Sequence, residues 1–303
     1  MKINFARHLL IFAVFTTSAL AEIDNDPPPP PEKSVLPSGR VVLPLDSEAA
    51  RPTIEARING KGPFLFVLDT GAQGFLLNAD LAKELKLPVV GKAAMGDPSN
   101  PSAIEVDRVR IESIEIGGVL LSGVIADSWD QPAAMNLHLK GRGIFGVSML
   151  SRFLVTFDYP GQKLVIENGS LSERNGENVV AWRATGDGLP TLRLTVGDVM
   201  FDAHIDSGAP GRITLPVKAL KKFSYIDEPV VVGQGRTVNS SFKVWKGTLD
   251  GAVKLGTIVI DDPDLSFMSI LDETGNANIG SAFLRDFVVT LDYQNGLIRF
   301  KKD

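Results

Sequence analysis

The sequence contains no cysteine, which removes disulfides, thiol nucleophiles and thiolate metal sites together and leaves the hydrophobic core to supply stability. Histidine is nearly as scarce. Of the 3 present, His8 lies in the N-terminal segment and His138 stands alone in a loop-like stretch. Only His204 is near another motif, so no Ser/His/Asp triad can be assembled and a histidine-based metal centre lacks ligands. Basic residues form no stripe, and 31 Lys and Arg against 36 Asp and Glu leave a formal charge of -5, which argues against nucleic acid as a partner. Beyond the N-terminal segment, no apolar run is long enough to span a bilayer.

What is present points to strands. Val, Ile, 29 Gly and 19 Pro recur throughout the 303 residues, a composition of short strands separated by turns. The expected fold class is all-β, mainly β with a few short helices. The opening "MKINFARHLLIFAVFTTSALA" runs basic, then apolar, then A-x-A, the order of a secretory signal over 1–21. Cleavage after Ala21 would remove Lys2 and Arg7 and leave no stable membrane insertion. The expected location is exported, periplasmic or secreted, in a bacterial envelope. Residues 22–40 carry five consecutive prolines, Pro27 to Pro31, and read as a semi-rigid linker.

The remaining chain contains one unit twice. "PTIEARINGKGPFLFVLDTGAQG", from Pro52, aligns with "PTLRLTVGDVMFDAHIDSGAPG", from Pro190, and "IFGVSMLSRFLVTFDYPGQKLVIE", from Ile144, with "NIGSAFLRDFVVTLDYQNGLIRFK", from Asn278. Asp206 follows Asp69 by 137 positions, while Gly280 follows Gly146 and Asp292 follows Asp158 by 134, an offset steady enough to mean duplication. The expected lobes are 41–168 and 179–303, joined by a linker at 169–178. Asn78 is a plausible N-cap for a helix over "ADLAKELKL", with "PVKALKKF" as its counterpart.

A single Asp-Thr-Gly is ordinary turn chemistry. Here Asp69-Thr70-Gly71-Ala72 and Asp206-Ser207-Gly208-Ala209 each follow an apolar strand and each precede an apolar-Gly segment at the matching place, and no third Asp-[Thr/Ser]-Gly occurs. These residues resemble those of the aspartic peptidases, and the Ala after each Gly makes the resemblance closest to the retropepsin-like branch. Ile144-Phe145-Gly146 fits the family's supporting segment; Asn278-Ile279-Gly280 departs at its first position. The resemblance implies a bilobal fold of two barrel-like lobes with the active site between them. Tandem copies imply that one chain carries both halves, as in pepsin, and acts as a monomer on a peptide or protein substrate with no cofactor and no metal.

Two facing carboxylates cannot both ionise cheaply, so such a pair holds one shared proton, activates a water and polarises a carbonyl. Asp69 and Asp206 are the candidate catalytic residues. Thr70, Gly71, Ala72, Ser207, Gly208 and Ala209 support the turns, and Gln73, Gly74, Pro210 and Gly211 are candidate subsite walls. The Ala pair lacks the hydroxyls that would stabilise ionised carboxylates, which favours a mildly acidic to neutral optimum. Met95 to Asn100 and Gly233 to Asn239 are candidate lid hairpins or ordinary surface loops, neither with a Tyr. His204 reads as a strand histidine near the site, Asp158 and Asp292 as hairpin hydrogen-bonders, and Trp129, Trp182 and Trp245 as core or rim residues. The reading is an exported aspartic endopeptidase. The alternatives are a non-catalytic envelope protein that keeps the fold to bind a peptide or other ligand, and a processing enzyme with one cognate substrate.

Overall fold

Along Thr53–Ile58 burial alternates with period two, and Ala56 and Ile58 point into a core shared with Phe66, Leu68, Phe75 and Phe145. That alternation is what a half-buried strand requires. In the computed structural model the described residues are 23–24, 26–46, 51–95, 104–130, 141–172, 178–184, 189–236 and 241–302. The expected signal, His138, the tips of both candidate lid hairpins and part of the 169–178 linker lie outside them. The chain is mostly β, with 59% strand and 10% helix, so the all-β expectation holds.

Six strands of the first half close into a barrel in the order Ile104–Ile116, Thr53–Ile58, Lys61–Asp69, Gly143–Gly146, Phe75–Asn78 and Val119–Trp129, the last pairing back onto the first. The second half repeats this path with Pro190–Val196, Val199–Asp206, Ala277–Gly280, Ile213–Pro216 and Asp264–Met268. Its closing strand is cut in two, Ser241–Leu249 and Ala252–Leu255, with Gly251 at φ 144 in the break. A third, six-stranded sheet takes Leu154–Asp158 from the first half and Val288–Asp292 from the second and pairs them antiparallel, with Thr156 opposite Thr290. These two threonines occupy equivalent places in the repeat, and their hydroxyls lie 2.9 Å apart. A residue that pairs with its own counterpart marks a local two-fold axis.

The helix expected after Asn78 spans Ala79–Leu85, and the Asn78 side chain accepts from the Asp80 N–H. Its counterpart is a 3₁₀ turn, Val217–Lys222.

The Pro-rich segment is docked, which corrects its reading as a tether. Ile23–Asp24 adds a parallel strand beside Lys92 and Ala93, and Lys33–Val35 pairs with Leu120–Ser122. Between them Pro31 is buried and the Pro28 ring lies against Gly74. Arg108, 7% exposed, donates to the Asp26 carbonyl and pairs with Asp127 at 3.1 Å. Prolines have no N–H to satisfy, so an extended proline run can lie on a surface without leaving donors unpaired.

Arg108→Ala would remove a buried guanidinium that donates to the half-buried Asp127 carboxylate and to the Asp26 carbonyl. It is expected to lower stability by about 2–3 kcal/mol in urea unfolding. Trypsin should then cut at Lys33, because the strap loses its anchor.

Candidate active site

The strands Lys61–Asp69 and Val199–Asp206 end in the two acidic turns. In each half the apolar-Gly segment runs parallel beside that strand, Ile144 next to Val67 and Gly146 next to Asp69, Asn278 next to His204 and Gly280 next to Asp206. A side chain on either glycine would strike the carbonyls of the adjoining turn: Ala72 and Gly74 in the first half, Ala209 and Gly211 in the second. The offset of the repeat is thus kept in register in three dimensions.

Four buried hydrogen bonds join the turns. The Thr70 N–H donates to Ser207 Oγ at 3.0 Å and the Ser207 N–H to Thr70 Oγ1 at 2.9 Å. Each hydroxyl then donates across the divide, Thr70 Oγ1 to the Ile205 carbonyl at 2.6 Å and Ser207 Oγ to the Leu68 carbonyl at 2.8 Å. Both side chains are buried, at 2% and 0% exposure, so every one of these groups would be orphaned without its partner. Gly71 and Gly208 complete the approach: a Cβ on Gly71 would lie 2.7 Å from the Asp206 Cγ, and one on Gly208 would strike the Asp69 carboxylate. Only glycine lets each turn come this close to the opposite acid.

Asp69 and Asp206 face each other within hydrogen-bonding reach. Both are half-buried by surface area, but protein atoms enclose the Asp69 carboxyl. Burial first, and the Asp206 charge second, push Asp69 from 3.8 up to about 8, against the pull of the Gly71 and Gly208 N–H groups. The Gly71 N–H reaches Asp69 Oδ1 at 2.7 Å and the Ala209 N–H reaches Asp206 Oδ1 at 2.8 Å. Ala72 and Ala209 supply no side-chain donor. Two residues not expected at the site from sequence reach it nonetheless: Arg51 Nε donates to the Gly208 carbonyl at 2.5 Å, and Asn278 Nδ2 to Asp206 Oδ2 at 2.6 Å. For Asn278 a signal existed in the sequence, as a departure from the repeat in the apolar-Gly segment. For Arg51, ahead of Pro52, there was none.

Of the candidate subsite residues, Gly74 is buried beneath Pro28, while Gln73 and Gly211 are half-buried and Pro210 is exposed. His204 meets Asn276 Nδ2 at 3.2 Å, and Asp202 is taken by Arg183 at 2.9 Å and Arg193 at 3.5 Å. These contacts give His204 and Asp202 structural partners. Asp158 and Asp292 accept N–H groups of their own hairpin turns, Gly161 at 2.8 Å and Asn295 at 3.1 Å, as expected of turn residues. Trp129 and its neighbours Ala93 and Val106 form a small separate core, and Trp182 and Trp245 pack at the edge of the main one.

Comparison with known proteins agrees with this geometry over the first half. Residues 54–149 match the aspartyl protease family, retropepsin-like in kind. Over that stretch, under half of the chain, the sequence is similar to aspartyl proteases. The matched stretch holds Asp69 and Ile144-Phe145-Gly146, while Asp206 lies beyond it. No curated protein matches the chain.

The raised Asp69 carboxyl makes stability fall with pH. Below pH 4 folded and unfolded chains both hold the proton; as pH rises from about 4 to about 8 the unfolded chain releases it first, and folding must then retain or recapture it. Asp69→Asn removes this linkage. Urea unfolding is expected to show the variant gaining on wild type steadily across that window and level above it.

Proposed function

We propose that the chain is an exported aspartic endopeptidase in which Asp69 and Asp206 jointly activate water. The observation that carries this reading is the pair of carboxylates held face to face by the reciprocal Thr70–Ser207 bonds. With one proton between them, the ionised carboxylate takes a proton from water as the water oxygen adds to the scissile carbonyl carbon. The protonated partner passes its proton to the carbonyl oxygen, giving a gem-diol. On collapse the C–N bond breaks, the first carboxyl delivers its proton to the leaving nitrogen, and a gem-diol hydroxyl returns a proton to the second. The dyad ends as it began, with an acid and an amine as products.

The domain reading that goes with this proposal is a signal over 1–21, retropepsin-like lobes at 41–168 and 179–303 and a linker at 169–178. The proposed form is a monomer in the bacterial envelope, periplasmic or secreted. The A-x-A ending at Ala21 supports export. The family match supports peptide bonds as the target. Among the described residues no helix is long and apolar enough to cross a membrane.

Cleavage of a diverse peptide library tests this reading. Asp69→Asn and Asp206→Asn are each expected to lower kcat/KM by about 10²–10⁴-fold, and pepstatin to suppress the wild type. Equal digestion by wild type and variants would end the proposal. The rate should peak at mildly acidic to neutral pH, since neither Ala72 nor Ala209 stabilises an ionised carboxylate. A peak near pH 2 to 3 would contradict that reading of the two alanines.

A further inference from the structure

The two halves of the dyad differ at the residues beside each carboxylate. On the face that carries Asp69, strand register places Val67 and Ile144; on the face that carries Asp206 it places His204 and Asn278. Residues paired in register on neighbouring strands point to the same side of the sheet. Ile144 has nothing to donate. Asn278 donates its side-chain amide to Asp206 Oδ2 at 2.6 Å, while the other oxygen of that carboxylate accepts the Ala209 N–H. Asp69 has the Gly71 N–H on its Oδ1 and the Gly208 N–H beside it, both from the backbone, and faces the opposite acid.

We infer that Asn278 is a positioning residue that breaks the symmetry of the dyad: its amide holds Asp206 as the ionised member and general base, and leaves the shared proton on Asp69. A carboxylate that accepts two N–H donors favours its charged form, and a charge-assisted bond as short as this is stronger than a neutral one. The enclosed Asp69, with Ile144 where Asp206 has the Asn278 amide, keeps the proton. This is the direction in which burial also moves Asp69.

The other groups around Asp206 do not reverse the order. His204 lies two residues back on the same strand, meets Asn276, and has Thr191 opposite it on the neighbouring strand. Arg51 donates to the Gly208 carbonyl. Tyr159 lies within electrostatic range of Asp69, Asp206 and Arg285, and Tyr293 within range of Asp69; burial drives both hydroxyls up, so they remain neutral. The roles of base and acid rest on the peptidase reading, whereas the charge assignment does not.

Titration by NMR of the mature chain, labelled with ¹³C at the Asp carboxyl, tests the assignment without a substrate. The two resonances are identified by their loss in D69N and D206N. In the wild type, Asp206 is expected to titrate in the lower step and Asp69 in the upper. Asn278→Leu should raise the Asp206 step by about one pH unit, a tenfold gain in proton affinity. The acid limb of kcat/KM on a cleaved peptide should move up with it. Asn276→Leu, which alters the His204 contact alone, should leave both unchanged. An Asp69 that ionises first in the wild type, or an Asp206 step that stays put or falls in N278L, overturns the assignment. The wild-type order needs no variant, so a misfolded N278L does not remove the test. A wild type that cleaves no peptide yet titrates as expected ends the peptidase reading and keeps this one; cleavage with an unmoved titration does the reverse.

Discussion

Everything at the site depends on the reciprocal bonds between Thr70 and Ser207. Two ionised carboxylates about 4 Å apart repel by about 4 kcal/mol at the effective dielectric of a protein surface. Left to themselves, the turns would separate. Four buried hydrogen bonds, each contributing about 1 kcal/mol net, are of the same size as that repulsion, and the proton shared at neutral pH removes most of what they must resist. The lock uses backbone groups at the ends of both strands, so loosening it would expose unsatisfied N–H and C=O groups as well as part the acids. Side chains on Gly71 or Gly208 would fill the space that the opposite carboxylate occupies.

That lock needs a rigid frame beneath it. The frame is the shared sheet in which Leu154–Asp158 and Val288–Asp292 pair around Thr156 and Thr290. Because equivalent residues meet there, the sheet imposes on the two halves the relation that also brings the acidic turns face to face. The barrels above it are free to diverge. The first closes by hydrogen bonds between Ile104–Ile116 and Val119–Trp129. In the second, the break at Gly251 sends Ser241–Leu249 to one end of the path and Ala252–Leu255 towards the other, and chain continuity stands in for the missing ladder.

Much of this was written locally and so could be read from sequence. The duplication appears as a constant offset, the acids as two Asp-[Thr/Ser]-Gly-Ala turns, and the helix at Ala79–Leu85 as a capped amphipathic run after Asn78. What could not be read depends on contacts between distant segments. The proline run has no periodicity that reveals a docking surface, and its seat exists because Gly74 lacks a side chain and Arg108 reaches Asp26. Arg51 bonds to Gly208 across 157 positions of chain, with no motif to announce it. Asn278 was visible as a departure from the repeat; its meaning needed the 2.6 Å approach to Asp206.

Duplication followed by divergence also leaves the two sheet edges unequal. The edge strand Val89–Met95 is partly covered by Ile23–Asp24. Its counterpart, Tyr225–Arg236, has among the described residues no second neighbour and exposes Val230, Val231 and Val232. A long apolar edge invites pairing with another chain. Here three register shifts against Ser241–Leu249, and Pro229 within the strand, interrupt the row of free donors and acceptors that a partner strand would need. One edge is protected by added chain and the other by irregularity, two physical solutions to the same problem. The inequality extends inward to the dyad, where an isoleucine in one half and an asparagine in the other surround two acids of identical origin. Shared ancestry set the carboxylates opposite one another. The difference in what flanks them is what allows two identical groups to take different protonation states.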